Sequence, residues 1–174
     1  GEMDFYLWLA KPYIGVITNI HQTHTLYLDS VEGVAREKSK LIKALSKDNI
    51  AILNSENKYT KQIGMKSKAK VVWFGDKEIY AENVRITGKM KTKFTLILGQ
   101  SKINVQLPIL GRQFVYNALA VAATGYALGI DTALIRLGLE DFKRPERRMN
   151  LIKLKSGALV LDDSYNNNPQ AAKD

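Results

Sequence analysis

Cysteine is absent from this 174-residue sequence, which excludes both a disulfide framework and a thiolate metal site. No run of about 18 apolar residues occurs, so no membrane-spanning helix is expected. A charged-then-apolar leader is likewise not visible in this stretch, and a cytoplasmic setting is the expectation. The phosphate-loop pattern G-x-x-x-x-G-K-[ST] is missing as well. Acidic residues are outnumbered, 17 against 26 Lys and Arg, for a formal net charge of +9. Lysines cluster at Lys66, Lys68, Lys70 and at Lys89, Lys91, Lys93. Such a surface suits an anionic nucleotide or a nucleic acid. No interleaving of basic and aromatic residues accompanies it, so a solvated lysine-rich surface is the plainer reading.

What is present is globular: 45% hydrophobic and 25% charged residues, at a length ample for one core. The most informative stretch is YIGVITNIHQTHTLYLDSVEGVAREKSKLIKAL, from Tyr13 to Leu45. Ile14 to Ile17 is short, β-branched and bounded by Pro12 and by Thr18 and Asn19, as a buried parallel strand would be. Ligands of open α/β sheets bind beyond the carboxyl ends of strands, where Thr18, Asn19, His21 and His24 would sit. These are the two histidines of the sequence, and they read either as metal ligands or proton carriers or as solvated loop residues. Ser30 is placed to cap a helix whose apolar stripe comprises Val31, Val34, Ala35, Leu41, Ile42 and Leu45. Lys38 falls on that stripe. Its amine must be paired, reach water, shift its pKa down, or be chemically converted.

The first residues, before Pro12, have an amphipathic helical pattern, with Met3, Leu7 and Ala10 on one face. Ile50 to Leu53 reads as a second strand, ending in a polar NSEN turn. From Ala69, four β-branched and aromatic runs separated by Gly75, Gly88 and Gly99 predict an antiparallel meander. Within it Trp73, Phe74, Tyr80 and Phe94 are read as packing residues. Gly111 opens an alanine-rich helix closed by Gly129. Asn117 falls beside Ala118 and Ala120, on a surface expected to pack tightly, so its amide needs a partner. A short amphipathic helix follows from Thr132 to Leu139, then a basic segment around Pro145. Ala158 to Leu161 is expected to be a last buried strand, delivering Asp162 and Asp163 to its end.

Four blocks in this order carry a resemblance that covers almost the whole chain. VITNIHQTH followed by SVEGVAREKSKLI resembles the signature of the Mur ligase family, where a strand ends in T-N-I, a histidine follows, and a helix carries S-x-E-G-x-A-x-x-K. GRQFVYNALAVAA resembles G-x-H-N-x-x-N-A-x-A-A, the segment around Arg148 resembles R-M-E, and DDSYNNNP is close to D-D-S-Y-N-A-N-P. The sequence departs from the family at His21, Asp29, Lys40, Gln113, Phe114 and Asn150.

The resemblance implies that His24 and a carbamylated Lys38 hold Mg2+, and that Thr18 and Asn19 border the substrate. It implies that Asn117 contacts the adenine of ATP and that Arg148 reaches the nucleotide phosphates. Asp163, Tyr165 and Asn166 would complete the nucleotide seat. The implied fold is α/β, a mostly parallel sheet flanked by helices with a small antiparallel insert at about residues 69–108. Residues 1–163 would be a central ATPase domain starting past its phosphate loop, and 164–174 a hinge to a further domain. Such a piece is expected to be inactive alone. The last motif is most typical of the family branch that joins D-alanyl-D-alanine to UDP-N-acetylmuramoyl-tripeptide through an acyl phosphate, acting as a monomer without nucleic acid. The alternatives are a folylpolyglutamate synthetase or other muramyl-peptide ligase, or a non-catalytic basic module that binds nucleic acid.

Overall fold

One strand, Ile50–Asn54 (IAILN), lacks any charge and is buried at every position. Its side chains alternate between two cores, as a strand's period of two requires. Ile50 and Ile52 enter one apolar cluster, Ala51 and Leu53 the other. The rest of the fold supplies the two layers that cover it. The computed structural model describes residues 2–21, 30–76, 78–87, 91–143 and 145–165.

In chain order these form α1 (Glu2–Leu9), β1 (Ile14–Ile17), α2 (Val31–Lys43), β2 (Ile50–Asn54), α3 (Lys58–Gly64) and β3 (Lys70–Phe74). There follow β4 (Ile79–Thr87), β5 (Lys91–Leu98), β6 (Ser101–Leu107), α4 (Arg112–Ala127), α5 (Thr132–Glu140), β7 (Asn150–Lys153) and β8 (Leu159–Asp162). Strands β1, β2 and β3 make a parallel sheet in that order. The connection from β1 to β2 carries α2, and that from β2 to β3 carries α3, so each is a β-α-β unit. Ser30 caps α2 as expected, accepting the Gly33 N–H at 3.1 Å. Val34, Ile42 and Leu45 from this helix region join Ile17, Ala51 and Leu53 in one core layer. Gly64 lets α3 lie close to β3, because a Cβ there would overlap the Trp73 ring.

The antiparallel sheet is smaller than the sequence suggested. Among the described residues it comprises β4, β5 and β6, while β3 pairs in parallel with β2, Ile52 opposite Val72 and Leu53 opposite Trp73. The reason lies in α3, a crossover helix of seven residues, too short and too polar to announce itself by periodicity. Helix α4 packs between the two sheets. Its Val115, Ala118, Leu119, Ala122 and Ala123 are buried with Ile52 and Phe74 on one side and Ile79, Phe94 and Leu96 on the other. Alanine permits that double approach. Gly111 begins this helix at φ 116°, a conformation that favours glycine. Thr92, fully buried, donates to the Ile109 carbonyl at 2.8 Å and fixes the path into α4.

The last two strands form a separate antiparallel hairpin, Leu151 opposite Leu161. The sequence predicts Ala158 to Leu161 as a buried strand; instead Leu159, Val160 and Leu161 are exposed, because β7 is their one strand neighbour among the described residues. No helix among the described residues is long and apolar enough to cross a membrane.

Leu53 of β2 is fully buried against residues of α2 and α3. Leu53→Ala should lower stability by about 2–5 kcal/mol, read as a lower denaturant midpoint at unchanged slope.

Candidate functional site

Where β1 ends, the backbone leaves the sheet with carbonyls that no neighbouring strand can satisfy. Three side chains take them in turn. Asn54, buried at the end of β2 with 2% exposure, donates from Nδ2 to the Thr18 carbonyl at 3.0 Å. Lys38 Nζ donates to the Asn19 carbonyl at 2.9 Å. Asn57 Nδ2 donates to the Ile20 carbonyl at 3.0 Å and to Asn19 Oδ1 at 2.6 Å. The opposite edge of each asparagine is equally engaged. Asn54 Oδ1 accepts the Glu56 N–H at 2.9 Å. Asn57 Oδ1 caps α3 by accepting from the Tyr59 and Thr60 N–H groups. Thr60, with no exposed surface, donates its hydroxyl to the Asn54 carbonyl.

Lys38 thus sits as the helical period placed it, half-buried on the inner face of α2. Of the four fates open to such an amine, the structure shows two. It is hydrogen-bonded to a backbone carbonyl, and burial pushes its pKa below the ordinary lysine range. No carboxylate among the described residues pairs with it. A lowered pKa raises the fraction of neutral amine, the form able to react with carbon dioxide. This chemistry fits the conversion of Lys38 to a carbamate, whose oxygens are the kind of ligand magnesium takes. His24, the other expected ligand, lies outside the described residues, and these contain no ready-made cluster of His, Asp and Glu for a metal.

The residues expected to seat a nucleotide form a second group. Asn117 lines a cavity of about 500 Å³ with Phe114, Ile109, Val121, Phe142 and Arg148. Its walls are mainly apolar and its polar groups few, as a site for a flat heterocycle should be. Asn117 is exposed rather than packed. It shares a helix face with exposed Val121, four residues on, while the alanines at 118, 122 and 123 turn to the core. In the first turn of α4, Gln113 Oε1 is buried and without a hydrogen-bond partner, an acceptor open to a bound donor. The Arg148 guanidinium lies over the Tyr165 ring, 4.6 Å from its centroid. Asp163 Oδ1 accepts the Met149 N–H at 3.2 Å, and the Tyr165 N–H donates to the Arg147 carbonyl at 3.2 Å. The residues after β8 are thereby folded back on the arginines before β7. The Asp162 carboxyl is held below its usual pKa, first by hydrogen bonds from Ser164 and then by the charge of Arg147. Asn166 lies outside the described residues.

The Glu56 carboxylate, beside Tyr116, joins the two groups. Its interaction with the phenol, with burial adding to the effect, raises the tyrosine pKa to about 12. Tyr116 precedes Asn117, and Glu56 precedes Asn57. The sequence had treated NSEN as a turn, and Tyr116 not at all. The signal for Asn57 was its place as a cap before KYTKQI, weakened by the absence of an apolar stripe there. The contact of Tyr116 is non-local and left no trace in spacing.

This arrangement is accompanied by a match of the family model "Mur ligase middle domain" to residues 3–125. The chain belongs to the Mur ligase middle domain family. Over 172 residues it is 32% identical to the UDP-N-acetylmuramoyl-tripeptide–D-alanyl-D-alanine ligase of Haemophilus influenzae, covering 97% of this chain and 37% of that protein. Its fold superposes on a crystal structure of MurF from Acinetobacter baumannii with a TM-score of 0.91 and 28% identity, covering 98% of this chain and 38% of that one. MurF from Thermotoga maritima in complex with ADP shares the fold, with a TM-score of 0.79 at 20% identity, over 97% of this chain and 39% of that one. The chain therefore spans well under half the length of these relatives.

Asn57→Ala removes both the cap of α3 and the hold on β1, and should destabilise the protein by about 1–3 kcal/mol. Asn57→Asp keeps the cap but not the donors. A loss for Asp clearly smaller than for Ala, measured by denaturant unfolding, separates the two duties.

Proposed function

We propose that the chain is the greater part of the ATP-binding region of a ligase that forms an amide bond in peptidoglycan precursor synthesis, joining D-alanyl-D-alanine to UDP-N-acetylmuramoyl-tripeptide. The observation that carries this reading is the half-buried Lys38 amine, desolvated and fixed to the Asn19 carbonyl at the end of β1. The relatives of known name support the substrates. In the reaction proposed for the whole protein, a substrate carboxylate displaces ADP from the γ-phosphorus of ATP, and the amine of D-alanyl-D-alanine then displaces phosphate from the acyl phosphate.

Each residue has a part that its surroundings suit. The neutral Lys38 amine attacks carbon dioxide, forming a C–N bond and releasing one proton, and the product is an anion in place of a buried cation. His24 and that carbamate would hold Mg2+, which when bound offsets negative charge on phosphoryl oxygens. Asn117 presents its amide at the mouth of the apolar cavity, where it can read the edge of adenine. Arg148, stacked on Tyr165, carries the guanidinium suited to a phosphoryl oxygen. Asp163 holds the Met149 backbone and so the neighbouring arginine. Tyr165 and Asn166 border the nucleotide. Asn54 holds the Thr18 carbonyl and Asn57 the Asn19 side chain at the substrate edge of the sheet, while Lys38 holds the Asn19 carbonyl. The setting is the cytoplasm, and the full-length protein acts as a monomer.

In the full-length protein, ADP release should depend on UDP-N-acetylmuramoyl-tripeptide and D-alanyl-D-alanine together. Dependence on UDP-N-acetylmuramate and L-alanine instead would replace this reading with that of another muramyl ligase. Lys38→Ala should reduce turnover by about 100-fold or more. Labelled bicarbonate should give a carbamate carbon resonance in the wild-type protein, weakening as pH falls and the amine protonates, and absent from Lys38→Ala. Full activity of that variant would remove the carbamate from the mechanism.

A further inference from the structure

The outer face of the β4–β6 sheet bears a concentration of positive charge that the proposed ligase reaction does not use. Arg85 on β4 stands directly opposite Lys93 on β5. Lys91 lies two residues along β5, on the same face. These three line a cavity of about 680 Å³, closed along one side by Arg136 and Glu140 of α5. Like charges placed opposite one another across a strand pair are unfavourable, and here the backbone is irregular in a way that creates the pair. Glu82 is opposite Thr95, yet Arg85 is opposite Lys93. One extra residue has entered β4 between them, so that Asn83 and Val84 together face Phe94. Without this bulge Val84, not Arg85, would oppose Lys93. Asn83 takes φ 54° to make the bulge, a conformation uncommon outside glycine.

Counter-charge within the protein is already committed. Glu140 lends one oxygen to the Gln106 N–H at 3.0 Å and the other to Arg136 Nε at 3.2 Å. Glu82, further along the same face, is 3.6 Å from Lys102. Among the described residues no carboxylate pairs with Arg85, Lys91 or Lys93. From this the geometry points to a second anion site on this sheet, one that takes an oligophosphate group. Adjacent strands are about 4.8 Å apart, and alternate residues of one strand about 7 Å. Three cations at that spread suit two linked phosphoryl groups better than one, with the guanidinium as the bidentate member. A nucleic-acid strand is the less suitable occupant. Binding one would call for an aromatic platform, and Phe94, the aromatic residue of the lining, turns its ring into the core.

The test uses the full-length protein with its nucleotide site saturated by a non-hydrolysable ATP analogue. Titration calorimetry with inorganic pyrophosphate should then show one further site, weakened by added salt. The double variant Arg85→Gln, Lys93→Gln should bind pyrophosphate at least about tenfold more weakly while ligase turnover stays unchanged, which shows that the variant folds. Orthophosphate should bind more weakly than pyrophosphate. Titration with ADP under the same saturation separates the sources: equal affinity for ADP and pyrophosphate assigns a free diphosphate end, and tighter ADP binding a nucleotide. Absence of the extra site, or pyrophosphate binding equal in wild type and variant, overturns the proposal. So would tighter binding of a single-stranded oligonucleotide that the variant abolishes.

Discussion

Everything in the described structure that bears on function depends on the double burial of β2. A strand covered on both faces has apolar side chains along its length and no water along its flanks, so the polar work must be done where it ends. That is why IAIL gives way to Asn54, Ser55, Glu56 and Asn57 without an intervening spacer. Two of these reach across to the carbonyls leaving β1. The Ser55 hydroxyl donates to the Phe74 carbonyl at the end of β3, at 3.0 Å. The parallel sheet is thus stitched across its carboxyl edge by the side chains that follow its central strand. Lys38 contributes to the same seam from the helix above.

A cation in that seam is unusual in having no carboxylate partner among the described residues. Ion pairs elsewhere in the protein are conventional and exposed, as in the contacts of Lys40 with Asp4 and Glu37. Pairs of that kind contribute little to stability. The neighbouring lysines of one helix, at positions 38 and 40, therefore have opposite fates: Lys40 is raised in pKa by its hydrogen bonds to carboxylates, and Lys38 is lowered by burial. A difference of two residues on the helix turns one amine to water and the other to the core.

Much of this was legible in the sequence because it rests on local rules. The bounds of β1, the Ser30 cap and the inward turn of Lys38 all follow from short-range periodicity, and the structure has each. The partner of β3 was not legible. VVWF is equally suited to either kind of sheet, and what decides the matter is α3, whose polar sequence hides a crossover. The exposure of β8 escaped for a related reason, since an apolar strand carries no record of which neighbours cover it. Asn117 was misplaced by one helical step, from a packed face to the rim of a cavity. The interaction of Tyr116 with Glu56 links positions sixty residues apart, beyond any spacing argument. His24 and Asn166 lie outside the described residues, so their part rests on the resemblance.

Asn57 also ties together two events that would otherwise be separate. A helix of seven residues is too short to persist alone, so α3 relies on its cap, and the same amide group that supplies the cap grips the chain beyond β1. Fraying of the helix and release of that chain are consequently one opening rather than two. Protection of the Tyr59 and Thr60 amides against solvent exchange would report directly on how firmly the carboxyl edge of the sheet is closed.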